Sequence, residues 1–252
     1  MLNLNIVDIL IIAVLGLSLI SGMYKGFISS GLAAVGFVGA WFGALQLYPQ
    51  LSNIIANNNA LMDWLTDLLD AGAMFNPRSL GNTLVSTLAG EANELRDALN
   101  GMSGVPDIIK NVFANNVNHQ LFQQQGLNTF TEYLGRTILT AGANVFSFVV
   151  IFAVGYLIML MIVNLLNSVF HFPLLKHLDW LLGGIFGVVR GYAIMMLVLA
   201  VVPMLLSMLD INIVGDLING SMLAQYFPIN NGFPIQDIVN SAFSTVSSVV
   251  GG

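Results

Sequence analysis

The chain contains no cysteine and few charged residues. Without cysteine it has neither disulfides nor cysteine-ligated metal sites. Charged residues make up 8% of the 252 residues, whereas a soluble globular domain carries roughly 25%. So few charges do not cover a water-facing surface, and the hydrophobic fraction of 56% indicates a membrane protein.

Basic residues and catalytic motifs are scarce as well. Seven Lys and Arg stand against thirteen Asp and Glu, for a net charge of −6, and no basic cluster is present. This argues against a nucleic-acid partner, which requires clustered Lys and Arg. The HExxH, Walker A, GxSxG and GxGxxG motifs are missing. We therefore expect no enzymatic activity, no cofactor and no metal site.

Four apolar stretches are long enough to cross a bilayer, which takes roughly 20 residues. They lie at about 4–23, 27–47, 129–168 and 178–203. Pro49 is expected to mark the exit of the second span, and Pro203 to kink or end the fourth helix. Thr129 and Glu132 match a capping box, so the third helix should begin there and run for roughly 60 Å. The predicted fold is an all-α polytopic membrane protein with four transmembrane helices in two hairpins.

The predicted organisation has four parts. They are a first transmembrane hairpin (1–49), a helical extracytoplasmic insertion (50–135), a second transmembrane hairpin (136–209) and an extracytoplasmic C-terminal tail (210–252). Amphipathic helices are predicted within the insertion at 60–69, 80–99 and 108–122, and one more after Pro234. In the first of these, one face carries Leu61, Trp64, Leu65 and Leu68. The insertion is expected either to pack on itself or to lie on the membrane surface.

Glycines at a spacing of four predict close helix contacts. Gly183, Gly187 and Gly191 fall on one helix face, a pattern that lets a second helix approach closely in lipid. The six predicted helix-packing positions are Gly22, Gly39, Gly43, Gly183, Gly187 and Gly191.

Arg190 is the residue that most strongly indicates a functional site. It lies eleven residues after Asp179, about 16 Å along a helix, and so near the middle of a roughly 30 Å hydrocarbon core. Arginine at that depth requires a partner or water and marks functional paths; the alternative is that its side chain reaches the headgroups. The candidate intramembrane polar site is Asp8, Arg190 and Asn164. We predict that Asp8 pairs with Arg190. In the alternative, Asp8 stays at the outer headgroups and Arg190 bonds to backbone carbonyls or to Asn164.

Two sequence blocks resemble the CvpA family, the colicin V production proteins. The first places Asn5 and Asp8 ahead of Lys25-Gly26-Phe27, and the second is the pattern D-x-x-x-G-x-x-x-G-x-x-R-G, formed by Asp179, Gly183, Gly187, Arg190 and Gly191. The resemblance implies a multi-pass protein of the bacterial inner membrane with a part in producing or exporting a peptide toxin. It implies no established reaction.

Two classes of function are compatible with these features. One is a channel or transporter for a small solute or ion. The other is a membrane scaffold whose outer helical segment binds a partner protein. The expected partners are the lipid bilayer and either a second copy of the chain or another membrane protein.

Orientation follows from basic residues in short loops, which face the cytoplasm. Lys25 lies in the first turn and Lys176 in the third. Both turns should therefore be cytoplasmic, which leaves both termini and the insertion outside.

This topology predicts that single cysteines at Asn58 and Lys176 react with a membrane-impermeant thiol reagent from opposite faces. The chain has no native cysteine, so the wild-type protein serves as the unlabelled control. Labelling of both positions from outside intact cells would contradict the topology.

Overall fold

The computed structural model describes residues 4–69, 84–88, 95, 97, 99–100, 107–118, 126–169, 176–207 and 213–227. Within these ranges the regular secondary structure is helical. The α-helices are α1 (Ile6–Lys25), α2 (Phe27–Ala56), α3 (Asn59–Leu69), α4 (Val85–Leu88), α5 (Asp107–Asn118), α6 (Phe130–Val169), α7 (Lys176–Ser207) and α8 (Ile213–Asn219), followed by a 3₁₀ turn (Ala224–Tyr226).

Four of these helices are long and apolar enough to cross a membrane. The candidate spans are Ile6–Lys25, Phe27–Ala56, Phe130–Leu166 and Leu178–Pro203. The prediction of an all-α polytopic membrane protein is confirmed. The helix predicted after Pro234 lies outside the described residues.

The chain divides into two compact units. The first, called the membrane unit, comprises Met1–Tyr48, Phe148–Val202 and Ile213–Phe233. The second, called the insertion unit, comprises Pro49–Ser147, Pro203–Asn212 and Pro234–Gly252.

The turn between α1 and α2 is a single residue, Gly26. Its φ of 79° is left-handed, a conformation that glycine adopts without strain. Its N–H donates to the Gly22 carbonyl at 3.0 Å and closes α1. The turn predicted at Tyr24-Lys25-Gly26 is therefore shorter than expected, since Lys25 is still the last residue of α1.

Neither internal proline ends its helix. α2 continues through Pro49 to Ala56, and α7 continues through Pro203 to Ser207. Pro49, which was expected to mark the exit of the second span, therefore lies inside a continuous helix. A proline removes one backbone donor, but α2 resumes its hydrogen bonds beyond it, and the Asn57 N–H donates to the Asn53 carbonyl at 3.0 Å.

The predicted capping box begins α6. The Thr129 N–H donates to Glu132 Oε2 at 2.9 Å, and the Glu132 N–H donates to Thr129 Oγ1 at 3.4 Å. From there α6 runs unbroken for 40 residues, about 60 Å at 1.5 Å per residue, as predicted.

The insertion unit has a core of its own around the first turns of α6. Phe113 of α5 and Phe130 of α6 are fully buried, with ring centroids 4.8 Å apart. Asn116 Nδ2 donates to Thr137 Oγ1 at 2.9 Å. Of the two expectations for the insertion, packing on itself therefore describes this part.

The predicted helix at 60–69 is present as α3, and its apolar face is buried only in part. Leu65 and Leu69 are buried, whereas Leu61, Trp64 and Leu68 are 39%, 48% and 44% exposed. The apolar residues cover a wider sector of the helix than a single contact buries.

Candidate functional site

The centre of the membrane unit is a close contact between α1 and α7. A Cβ added at Gly22 would lie 2.8 Å from the Gly187 Cα, and one added at Gly183 would lie 2.7 Å from the Gly26 carbonyl carbon. Real Cβ atoms essentially never approach so closely. The two backbones therefore touch where side chains would normally stand, and we call this contact the glycine seam.

Ser18 completes the seam and fixes its register. A Cβ at Gly187 would run into the Ser18 carbonyl, and one at Gly191 would lie 2.7 Å from the Ser18 Cβ. Ser18 is accordingly buried between these two glycines. The helices run antiparallel, so each step along α7 corresponds to a step back along α1.

Asp179 joins the turn at one end of the seam. Its Oδ1 accepts the Phe27 N–H at 2.8 Å, which is the first free donor of α2. Its carboxylate also lies against Gly26, where any side chain would collide with it. The resemblance had singled out Asp179, Gly26 and Phe27 in separate blocks, and the structure brings them together.

Asp8 occupies the other end of α1 in a network of donors. Asn5 and Asp8 form a capping box, in which the Asn5 N–H donates to Asp8 Oδ2 at 2.9 Å. Asp8 Oδ1 accepts from Ser221 Oγ at 2.6 Å and from the Leu223 N–H at 2.8 Å. Asn5 Nδ2 donates to the Leu217 carbonyl at 2.5 Å. The start of α1 is thus held by the segment that follows α7.

That segment, residues 213–227, was missed as a contributor to the site. The sequence prediction placed it in a weakly polar tail. It packs in a common apolar cluster with Val7, Ile11, Met195 and Leu199, and Tyr192 Oη donates to the Tyr226 carbonyl at 3.0 Å. The available signal was chemical, because a buried Asp8 requires donors. Ser221 is more than two hundred residues away, so no local spacing indicated it.

Arg190 lies against α6. Its guanidinium is hydrogen-bonded to the Tyr156 hydroxyl, while its Nε is buried with no hydrogen-bond partner. The Tyr156 ring stacks on Phe152 at 5.9 Å and meets Phe37 edge-on at 5.5 Å. The site is therefore a cation and a hydroxyl at the end of an aromatic row.

The structure does not pair Asp8 with Arg190. Ser18 lies between Gly187 and Gly191, so Arg190 is level with about residues 16–18 of α1. At least eight residues, about 12 Å, then separate it from Asp8 along the axis. Asp8 is occupied by Ser221 and Leu223 instead.

The other predicted site residues are dispersed. Asn164 is exposed and lies eight residues past Tyr156 on α6, and Lys25 is exposed at the end of α1. Gly39 faces the tip of Met159, 3.5 Å from a Cβ added there, while a Cβ at Gly43 would meet nothing within 4 Å. Of the glycines predicted to pack, Gly22, Gly183 and Gly187 make the backbone contact, and Gly191 packs against the Ser18 side chain.

The model of one known protein family matches most of the chain. The model of the family described as colicin V production protein matches residues 7–89 and 121–230. The chain belongs to the colicin V production protein family. The match extends beyond the two blocks quoted above and includes the segment that holds Asp8. No curated protein and no solved structure matches the chain.

The glycine seam predicts a sharp difference between two glycines of the membrane unit. Gly187→Ala forces the backbones apart and should cost about 1–3 kcal/mol, the range for overpacking, and Gly187→Leu should prevent folding. Gly16→Ala is the matched control, because a Cβ there meets nothing within 4 Å. Thermal unfolding in detergent measures both. Equal melting temperatures for Gly187→Ala and Gly16→Ala would contradict the contact.

The hydrogen bonds of Asp8 predict which substitutions are coupled. Asp8→Ala and Ser221→Ala break the same bond, so the double variant should lose less thermal stability than the sum of the single losses. The stability losses of Asp8→Ala and Arg190→Ala should add, since these residues are not in contact. Additive losses for Asp8 and Ser221, or coupled ones for Asp8 and Arg190, would contradict this arrangement.

Proposed function

We propose that this protein is a non-catalytic component of the cytoplasmic membrane that serves the production or export of a small toxin peptide, and that it passes a small anionic solute at Arg190. The family description, colicin V production protein, supports the biological setting. The observation that carries the transport step is the buried, unpartnered Nε of Arg190.

The depth of Arg190 follows from α6. Residues 145–163, between Asn144 and Asn164, contain no charged or amide side chain and span about 28 Å, close to a hydrocarbon core of roughly 30 Å. Tyr156, the partner of Arg190, is about 18 Å from Asn144 and about 12 Å from Asn164. The guanidinium therefore lies near the middle of the membrane.

An arginine at this depth costs several kcal/mol unless its charge is compensated or hydrated. Tyr156 is neutral and supplies one oxygen. The acids of the membrane unit whose side chains are described lie elsewhere: Asp8 and Asp179 are bound to other donors, and Asp216 is exposed on α8. The guanidinium thus keeps donors and positive charge for an added anion. Its planar fork suits a carboxylate, which it binds through two parallel hydrogen bonds.

The glycine seam limits where a solute passes. α1 and α7 touch backbone to backbone, so no path runs between them. The side of α7 that bears Arg190 faces Tyr156 of α6, and this is the side on which we place the path. The proposal of no catalysis rests on the missing catalytic motifs, and it is supported by Asp8 and Asp179, whose carboxylates already accept hydrogen bonds within the fold.

A flux assay tests this proposal. Sealed vesicles that contain the protein and are loaded with a small carboxylate, such as benzoate, should release it faster than protein-free vesicles loaded in the same way. Arg190→Gln should abolish the difference, Arg190→Lys should retain part of it, and Lys25→Gln, which removes an exposed cation, should change nothing. Correct insertion is checked by protease protection.

Transport would be contradicted if vesicles with folded wild-type protein released the carboxylate no faster than protein-free vesicles. It would favour the alternative, a scaffold whose helical insertion binds a partner protein. In that case Arg190→Gln should leave toxin release from cells unchanged, while deletions within the insertion should abolish it.

A further inference from the structure

Helix α3 has an apolar flank that stays partly exposed. Leu65 and Leu69 form the buried side of the helix. Leu61, Trp64 and Leu68 lie beside them at helical spacing and are 39–48% exposed. We call these three residues the apolar flank. Thr66 and the exposed Asp63 and Asp67 form the remaining, polar side.

Two contacts fasten α3 to α6. Leu69 reaches the surface of α6 at Gly142, where a Cβ would collide with its side chain. Trp64 meets Phe146 edge-on, with ring centroids 5.5 Å apart. Phe146 is one helical turn further along α6 than Gly142. Trp64 therefore reaches further toward the apolar part of α6 than Leu69 does.

The position of these contacts on α6 gives the level of α3 in the membrane. Asn144 is the last amide before the apolar run of residues 145–163, and its Oδ1 accepts from Ser52 Oγ at 2.5 Å. Gly142 and Phe146 lie on either side of Asn144. The helix α3 is thus attached at the boundary between hydrocarbon and headgroups, the level that tryptophan favours.

We propose that α3 is a membrane-surface helix and that the apolar flank contacts the lipid bilayer. The flank lies on the side from which Trp64 reaches Phe146, and the acids lie away from it. In this orientation the apolar flank is buried in lipid while Asp63 and Asp67 on the polar side remain in water.

The acidity of α3 does not oppose this assignment. Free surface helices are usually rich in Lys and Arg, because electrostatic attraction brings them to the membrane. This helix is held at the surface by α2, which precedes it in the chain, and by its contacts with α6. Burial of the apolar flank is then enough to keep it in lipid without electrostatic attraction. The contact between flank and lipid should be insensitive to salt and should not require anionic lipid.

Fluorescence of Trp64 tests the proposal in the full-length protein. The chain has three tryptophans, so Trp41→Phe with Trp180→Phe leaves Trp64 alone. The protein is placed in vesicles of zwitterionic phosphatidylcholine whose acyl chains are brominated at a chosen depth. Bromine atoms near the headgroup should quench the Trp64 emission more strongly than bromine atoms near the chain ends. Acrylamide dissolved in the water should quench it weakly. The matched control moves the tryptophan to the polar side, as Thr66→Trp in a chain without the other three. It should show the reverse pattern.

Two outcomes would overturn the proposal. One is acrylamide quenching of Trp64 equal to that of the Thr66→Trp control, which would place the flank in water. The other is protection from both bromines and acrylamide, which would show that a second copy or another protein covers it.

Spin labels provide a second measurement that keeps all three tryptophans. Labels at Leu61→Cys and Leu68→Cys should be more accessible to oxygen than to a water-soluble nickel complex, and a label at Asp63→Cys should show the opposite ratio. Equal ratios at all three positions would also overturn the proposal. Both measurements concern the insertion unit and are independent of whether Arg190 passes an anion.

Discussion

The membrane unit depends on the backbone contact between α1 and α7. Helices in lipid gain little from burying apolar side chains, since lipid is equally apolar, so close packing supplies much of their association. Gly22, Gly183 and Gly187 remove the side chains that would hold the backbones apart. The register of this contact then decides the depth of every polar group on the two helices. It separates Arg190 from Asp8 by about 12 Å along the helix axis.

Carboxylates hold the two ends of α1 by the same physical means. Asp179 accepts the first free N–H of α2, and Asp8 accepts Ser221 Oγ and the Leu223 N–H. Each acid satisfies donors that a helix end or a turn would otherwise leave unpaired. Arg190 differs from both, because its partner is a neutral hydroxyl and its Nε has none. This difference is the reason for which we propose a transport role for Arg190 and not for Asp8 or Asp179.

Features that depend on neighbouring residues could be predicted from the sequence. The capping box at Thr129, the helix at 60–69 and the turn at Gly26 all rest on spacings of a few residues. The contacts of Asp8 with Ser221 and of Arg190 with Tyr156 could not, because many positions carry the same chemistry and spacing does not choose among them. The continuation of α2 through Pro49 could not be predicted for another reason. The rule that proline ends helices weighs one lost hydrogen bond and not the packing on both sides of it.

A disulfide between α1 and α7 tests the central contact most directly. A Cβ at Gly184 would lie 2.8 Å from the Met23 Cγ, close to where the sulfur of a cysteine at position 23 would stand. In an otherwise cysteine-free chain, Met23→Cys with Gly184→Cys should oxidise rapidly to one intramolecular disulfide. Leu17→Cys with Gly184→Cys, in which Leu17 is 68% exposed, should not. Failure of the first pair to cross-link in folded protein, or equal cross-linking of both pairs, would contradict the account.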